Sequence, residues 1–168
     1  MIVVNTTVLS NLAEADRLPL LEPLFGRVLV PSQVHDEILK GIAAGYDFLE
    51  TADESTEAEW IVLTTFENQS ERRLFKRLLG VVGYGEAAGI AIAKERDVLF
   101  FSDDRKARRV AQDHGVEISG TLGLLKLAVE EGTLSIGEAD EVLNRMIDGG
   151  YYAPIRSIDE LLGGGDGK

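Results

Sequence analysis

Short apolar runs rich in β-branched residues alternate with segments of helical periodicity along most of this chain. Such runs are typical of buried strands, and apolar residues at every third or fourth position are typical of helices that cover them. The predicted strands are residues 2–4, 27–30, 60–63, 98–101 and, more weakly, 116–118. The predicted helices between them are residues 18–25, 32–40, 70–79, 85–96 and 105–114. This alternation predicts a three-layer α/β/α fold with a central, mainly parallel, twisted sheet of about five strands.

The end of the chain has a different pattern, because it is helical over residues 121–131 and 135–147 without further strands. We expect a single domain over residues 1–162, with a core of about 1–130 and a helical C-terminal extension of about 131–162. A chain of 168 residues is long enough to bury a core of its own. The last residues, 163–168, read GGGDGK and predict a flexible tail.

The composition excludes several kinds of site. There is no cysteine, which rules out disulfides, thiolate zinc sites and a cysteine nucleophile and favours a reducing cytoplasm. The only histidines, His35 and His114, lack the spacing of a histidine-rich metal site. We expect a soluble protein that is neither secreted nor inserted in a membrane. A net charge of −12 argues against general coating of nucleic acid, so any nucleic-acid contact must be local.

Four polar residues lie at or near the mouths of predicted strands. Asn5 follows the first strand, Asp104 follows the fourth by a few residues, Glu37 lies about a turn and a half into a helix, and Glu86 opens another. Ligands of open parallel sheets bind beyond the carboxyl ends of the strands, where the strand order reverses. Carboxylate oxygens are the ligands that Mg²⁺ and Mn²⁺ prefer, so these positions together predict a metal pocket.

Each of these acids also has an ordinary explanation. Asp103 or Asp104 can serve as the N-cap of the next helix, and Glu86 is favoured in a first helical turn by the helix dipole. Glu37 can be plain solvent-exposed surface. The four positions together favour the metal pocket more than any one of them does alone.

The segments around these residues resemble the PIN domain, the nuclease fold of VapC-like toxins and of flap-endonuclease relatives, over about residues 1–127. The segment VVNTTVLSNL resembles the family's first motif, in which an aspartate precedes a Thr/Ser pair. VPSQVHDEIL resembles the second motif, GEAAGIAIA the third, and the turn of Ser102, Asp103 and Asp104 the fourth. Glu86 and Asp104 are 18 positions apart, a separation such domains favour, which makes Asp104 rather than Asp103 the expected fourth acid.

The resemblance implies a metal-dependent endoribonuclease of the toxin type that uses one or two Mg²⁺ or Mn²⁺ ions. It also implies an RNA substrate, a small antitoxin protein as partner and a homodimer. Hydroxyl groups of Thr6, Thr7 and Ser102 are expected to hold the metal-binding carboxylates in place. The implied catalytic and metal-binding positions are Asn5 in the place of an aspartate, Glu37, Glu86 and Asp104, with Asp103 as a further metal-ligand candidate.

Asn5 is where the sequence departs from the family pattern. An asparagine oxygen can bind a hard cation, but it is neutral and cannot act as a general base. We therefore expect weakened metal affinity and little or no cleavage by this chain. The asparagine is either a natural feature of an attenuated family member or an engineered substitution.

Basic residues are concentrated in two predicted helices. Such a concentration can seat a phosphate backbone beside the acidic pocket, and single-stranded or looped RNA suits a site that must reach one phosphate. The alternative is a pair of solvated helix faces with intrahelical ion pairs. These residues are Arg72, Arg73, Lys76, Arg77, Arg105, Lys106, Arg108 and Arg109.

Two other functions remain open. Gly83, Gly85 and Ala88 form the pattern G-x-G-x-x-A ahead of a helix, with Asp103 20 residues after the first glycine, as in dinucleotide-binding proteins. The apolar run before Gly83 is too short for the required strand, and Glu86 would bring negative charge to the pyrophosphate position. The other alternative is a non-catalytic PIN-like module that binds RNA or an antitoxin without cleavage.

Overall fold

A computed structural model describes residues 1–163 and places five parallel strands in one sheet. The strands are β1 (Ile2–Val4), β2 (Val28–Pro31), β3 (Ile61–Thr64), β4 (Leu99–Phe101) and β5 (Ile118–Ser119). Their order across the sheet is β3-β2-β1-β4-β5, and every neighbouring pair is parallel. The predicted parallel α/β/α fold is confirmed. The tail predicted at residues 163–168 lies, apart from Gly163, outside the described residues.

Helices connect the strands and continue after the last of them. In chain order they are α1 (Thr6–Glu14), α2 (Leu21–Phe25), α3 (Ser32–Ala43), α4 (Glu50–Glu54), α5 (Gln69–Leu78), α6 (Tyr84–Arg96), α7 (Arg105–Asp113), α8 (Thr121–Glu130), α9 (Ile136–Asp148) and α10 (Asp159–Leu162). Short 3₁₀ turns lie at Leu18–Leu20, Asp47–Leu49 and Ser55–Glu57. No helix within residues 1–163 is both long enough and apolar enough to cross a membrane.

The sequence pattern does not predict α1, although the helix follows the first strand directly. Its first turn contains Thr6, Thr7 and Val8, and β-branched residues have a lowered helix propensity. The helix starts here because Asn5 is its N-cap, with the side chain accepting a hydrogen bond from the Val8 backbone N–H. Four core residues of α1 are buried, so tertiary packing outweighs the weak local preference.

Successive strand residues enter two separate cores. Val4 and Phe101 face the side covered by α1, α3, α8 and α9, whereas Val3 and Phe100 face the side covered by α5, α6 and α7. Helix α6 lies very close to the sheet, since a Cβ atom added at Gly89 would be 2.4 Å from a ring carbon of Phe100. The position of α6, which carries Glu86, is therefore fixed by the core.

The C-terminal helices extend the first of these cores. Buried residues of α9 belong to the same cluster as those of α1 and α8. The Asp140 carboxylate accepts hydrogen bonds from the Ser157 hydroxyl at 2.9 Å and the Ile158 backbone N–H at 2.7 Å, which holds the chain before α10 against α9. These contacts support our proposal that residues 1–162 form one domain.

The strand order reverses next to β1. The strands β2 and β3 lie on one side of it, and β4 and β5 lie on the other. Asn5 follows β1 and its backbone N–H donates to the Phe101 carbonyl of β4 at 3.1 Å. The segments after β1 and β4 thus meet where ligands of open α/β sheets bind.

Candidate active site

Asn5 lies at the carboxyl end of β1 with its side chain fully buried. Its Oδ1 accepts hydrogen bonds from the Thr7 hydroxyl at 2.8 Å and the Val8 backbone N–H at 3.3 Å. Its Nδ2 donates to Ser102 Oγ at 2.8 Å and to Glu86 Oε1 at 3.3 Å. The Val8 N–H can only donate, so the amide oxygen must face it and the NH₂ group must face Glu86. Asn5 therefore caps α1 and directs a hydrogen-bond donor toward an acid.

Glu86 is half-buried in the first turn of α6. Burial raises the pKa of its carboxyl group, and the nearby negative charges of Glu37 and Asp104 raise it further. Hydrogen bonds from its own backbone N–H and from Asn5 act in the opposite direction. Within residues 1–163, Glu86 forms no ion pair with a basic side chain. Among the described residues, like charges are thus gathered here without an ion pair to a basic side chain.

Glu37 reaches this region from α3. Its Oε1 accepts a hydrogen bond from the Gly85 backbone N–H at 2.9 Å, and its Oε2 accepts one from the Thr6 hydroxyl. A Cβ atom at Gly85 would be 2.7 Å from Glu37 Oε2, and one at Gly83 would be 2.2 Å from Glu86 Oε2. The two glycines thus leave space for the two carboxylates.

The same glycines formed the dinucleotide-binding pattern. Helix α6 begins at Tyr84 after the N-cap Gly83, and the element before it is the helix α5, not a strand. Between them, Leu79 and Val82 form only an isolated bridge. The strand that a dinucleotide fingerprint requires is absent from this segment, and the glycines have another structural explanation.

Asp104 is both an N-cap and a neighbour of Glu86. Its Oδ1 accepts a hydrogen bond from the Ala107 backbone N–H at 2.7 Å, which starts α7. The side chain is exposed and lines a cleft of about 370 Å³ together with Gly83 and Glu86. The position of Asp104 is thus compatible with both interpretations of the sequence, as a helix N-cap and as a member of the acidic pocket.

Asp103 points away from these acids. Its Oδ1 accepts from the Thr121 backbone N–H at 2.8 Å, and its Oδ2 accepts from the Thr121 hydroxyl and from Asn11 Nδ2. Both carboxylate oxygens are therefore used to hold the start of α8. Sequence reasoning missed Asn11 and Thr121, because their contacts with Asp103 and with each other join positions that are 18 to 110 residues apart.

Of the three hydroxyl groups expected to hold carboxylates in place, one contacts a carboxylate and two contact the Asn5 amide. Thr6 donates to Glu37, and Thr7 donates to Asn5 while accepting from the Asp103 backbone N–H at 3.3 Å. Ser102 is buried and accepts from both Asn5 and the Asp104 backbone N–H. These hydroxyls connect the segments after β1 and β4.

Six of the eight predicted basic residues line three surface clefts. Arg73, Lys76 and Arg77 of α5 line a surface cleft of about 590 Å³. Lys106 lines the cleft that contains Glu86 and Asp104, whereas Arg105 and Arg108 line a neighbouring, larger cleft. Among the described residues, no ion pair joins any of the eight predicted basic residues to an acid on the same helix. RNA binding by these residues stays a prediction.

Fold and pocket together define an α/β/α protein that gathers acidic side chains where its strand order reverses. The sequence matches the model of the PIN-domain family DUF3368 over residues 1–164, and the chain belongs to this family. PIN domains are generally nucleases that bind RNA and usually use divalent metal ions. No curated protein and no solved structure was found to match the chain.

A divalent ion does not fit the pocket with the side chains as they stand. The amide oxygen of Asn5, the atom expected to bind a cation, is engaged by Thr7 and Val8, and the NH₂ group that faces Glu86 cannot be a ligand. Within residues 1–163, no three Asp, Glu or His side chains are arranged to hold one metal ion. The expectation that Asn5 itself supplies a ligand is not supported by this geometry.

Proposed function

We propose that this chain is a PIN-domain endoribonuclease of the toxin type in which Asn5 attenuates or abolishes metal-dependent cleavage. The observation that carries the proposal is the orientation of the Asn5 amide, whose Nδ2 lies 3.3 Å from Glu86 Oε1. An NH₂ group at this point contributes the positive end of a dipole where a metal-binding pocket needs an oxygen. The NH₂ group partly compensates the negative charge of Glu86, so a cation is no longer required to offset that charge.

An aspartate in the same rotamer would have the opposite effect. One of its oxygens would keep the hydrogen bonds with Thr7 and the Val8 backbone N–H, and the other would face Glu86. Two carboxylates in contact repel each other unless a proton or a cation lies between them. The proposed catalytic and metal-binding acids of an active form are Glu37, Glu86 and Asp104 with an aspartate at position 5.

The test is to compare this chain with an Asn5→Asp variant on a panel of labelled RNA and DNA, with Mg²⁺, Mn²⁺ or EDTA. We expect the variant to cleave RNA only with metal, at least about 100-fold faster than the unmodified chain, the scale of one essential acid or base. Binding of Mn²⁺ to the protein alone, followed by calorimetry, provides a second readout. If a folded Asn5→Asp variant neither binds Mn²⁺ nor cleaves any substrate, the nuclease proposal is wrong.

A double variant, Asn5→Asp with Glu86→Gln, is the matched control. It keeps the new aspartate and removes the charge that the aspartate faces. Cleavage by the double variant as fast as by Asn5→Asp would contradict the role proposed for Glu86 or indicate a contaminating nuclease.

A second candidate function is a PIN-like module that binds RNA or an antitoxin protein without cleavage. The observation that favours it is the complete hydrogen bonding of Asn5, which makes this residue part of the folded architecture. Binding of RNA by both forms without cleavage by either would select this function. The antitoxin partner, the homodimer and the cytoplasmic location remain part of the proposal, and light scattering with purified protein tests the dimer.

A further inference from the structure

A second and larger cleft adjoins the acidic pocket. Its volume is about 700 Å³, and its walls are the starts of α7 and α8 and the segment 149–154 after α9. Asp104 lines both this cleft and the smaller one that contains Glu86. The two clefts therefore share Asp104 in their linings, and a chain-like ligand that spans both would pass this residue.

Two tyrosines are brought to this cleft by the segment after α9. Gly150 adopts a φ of +106°, which a residue with a side chain rarely adopts, and Gly149 packs so closely on α1 that a Cβ atom would be 2.3 Å from Glu14 Cγ. Tyr151 is half-buried against the core, and its backbone N–H donates to the Met146 carbonyl at 2.9 Å. Tyr152 lines the cleft and is 77% exposed. Packing among residues 1–163 gives no reason for an aromatic ring in that position.

Two arginines lie in the same cleft. Arg108 is held in place, because its Nη1 donates to the Ser102 carbonyl at 3.1 Å, and Arg105 is exposed at the start of α7. The neighbouring Asp103 uses both of its oxygens for Thr121 and Asn11. No acid among residues 1–163 forms an ion pair with Arg105 or Arg108, so their charge is available to a ligand.

An exposed aromatic ring beside unpaired arginines is the combination that binds single-stranded nucleic acid. The ring stacks on a base, and the guanidinium groups bind phosphate oxygens. We propose that this cleft is a nucleobase subsite for single-stranded RNA, in which Tyr152 stacks on one base and Arg105 contacts an adjacent phosphate. The subsite rests on the proposed function only in taking RNA as the ligand. It gives the C-terminal extension a part in substrate binding.

Binding of short, labelled, single-stranded oligoribonucleotides to the unmodified chain in EDTA tests this subsite by fluorescence anisotropy. We expect Tyr152→Ala to raise Kd about 5- to 150-fold, the effect of losing one base–aromatic stack, while Tyr152→Phe leaves it unchanged. Tyr46→Ala is the matched control, because Tyr46 is also exposed, at 58%, and lies outside the cleft. Arg105→Ala should weaken binding and reduce the slope of log K against log salt by about 0.7, the loss of one contact to a single strand.

An abasic oligomer separates stacking from phosphate binding. The unmodified chain should bind it as weakly as Tyr152→Ala binds the normal strand. The proposal is overturned if Tyr152→Ala has no effect, if Tyr46→Ala has the same effect, if duplex RNA binds as tightly as the single strand, or if no RNA binds at all. A protein partner as the true occupant would give one of these results.

The outcomes for the subsite and for the proposed function can be told apart. Binding that depends on Tyr152, together with an Asn5→Asp variant that neither binds Mn²⁺ nor cleaves any substrate, supports the subsite and contradicts the nuclease. Cleavage by Asn5→Asp with binding that is independent of Tyr152 contradicts the subsite alone.

Discussion

Glu71 and Glu86 are the same residue type at the same position of two consecutive helices, yet the charged groups beside them have opposite signs. Each lies in the first turn, three residues after the N-cap, Asn68 in α5 and Gly83 in α6. Glu71 is fully buried and its Oε1 lies 2.8 Å from Arg96 Nε. Glu86 is half-buried and faces Glu37, Asp104 and the Asn5 amide. The helix dipole acts on both, so what distinguishes them is burial and the ion pair that Glu71 forms and Glu86 lacks among the described residues.

The ion pair with Arg96 gives Glu71 a structural role. Arg96 is the last residue of α6, and besides Glu71 it donates to Thr64 Oγ1 at 2.9 Å and to the Thr65 carbonyl at 2.8 Å. One arginine thus joins the end of α6, the start of α5 and the end of β3. The opposite end of α6 carries an acid for which the described chain supplies no such partner. An acid that the fold neutralises holds the fold together, and an acid that it leaves unpaired is available to a ligand.

The largest expected effect comes from breaking the paired acid. Glu71→Gln should lower the free energy of unfolding by about 3–5 kcal/mol, because it leaves the Arg96 charge without its buried partner. Urea unfolding followed by circular dichroism measures this. Glu67→Gln is the control, since the Glu67 side chain lies 3.1 Å from the same arginine but is 69% exposed, and its loss should cost less than about 1 kcal/mol. Equal effects of the two substitutions would show that the buried ion pair of Arg96 contributes no more than the exposed one.

The next effect comes from adding a charge beside the unpaired acid. Asn5→Asp in EDTA should lower the free energy of unfolding by about 1–3 kcal/mol, because Glu86 and Ser102 lose a buried donor and Glu86 gains a carboxylate neighbour. Mn²⁺ at about 100 times its Kd should restore about 2.7 kcal/mol. Urea unfolding with and without Mn²⁺ measures both changes. A metal shift of the same size in the unmodified chain would show that Asn5 does not impair the pocket.

A smaller effect of the opposite sign is expected when the unpaired acid itself is neutralised. Glu86→Gln should raise the free energy of unfolding at pH 7 by roughly 0.5–1 kcal/mol, since it removes one member of a partly solvated group of like charges. The same urea titration compares it with Glu71→Gln, which should move in the other direction. Destabilisation by Glu86→Gln as large as that by Glu71→Gln would mean that both acids are structural.

The smallest effect is the pH dependence of the stability that Glu86→Gln is expected to add. The pKa of Glu86 is raised above its ordinary value of 4.5 in the folded protein, so the folded state holds this proton more tightly than the unfolded chain does. The unfavourable contribution of Glu86 is present at neutral pH and decreases as the pH falls through the raised pKa. The stability advantage of Glu86→Gln should therefore narrow on acidification and vanish below pH 4.5. An advantage that grows on acidification would contradict the raised pKa.

Most of the fold could be predicted from the sequence, because alternating strand and helix patterns are local signals. The helix α1 could not, since its β-branched first turn is stabilised by an N-cap and by burial in a core assembled from distant segments. Glu37, Glu86 and Asp104 could be predicted as site candidates from motifs near the ends of strands, and their role stays a prediction. Which glutamate forms an ion pair could not be predicted, because the sequence shows two equivalent glutamates at helix starts. Arg96, which pairs with Glu71, is 25 positions away from it.

The orientation of the Asn5 amide was also beyond the sequence. It is set by the Val8 backbone N–H on one side and by Glu86, 81 positions away, on the other. The sequence indicated that position 5 is neutral, but only the fold shows which end of the amide faces the acids. The G-x-G-x-x-A pattern is a similar case, since its meaning depends on the element that precedes it.

The N-cap role of position 5 affects which substitutions the position tolerates during evolution. Asparagine and aspartate are about equally good N-caps, so α1 starts equally well with either residue. An exchange between them leaves the start of the helix intact, while it removes the amide donor to Glu86 and Ser102 and adds a charge beside Glu86. The cap of α1 therefore does not restrict this exchange, and under the proposed function a single substitution would separate an attenuated form from an active one.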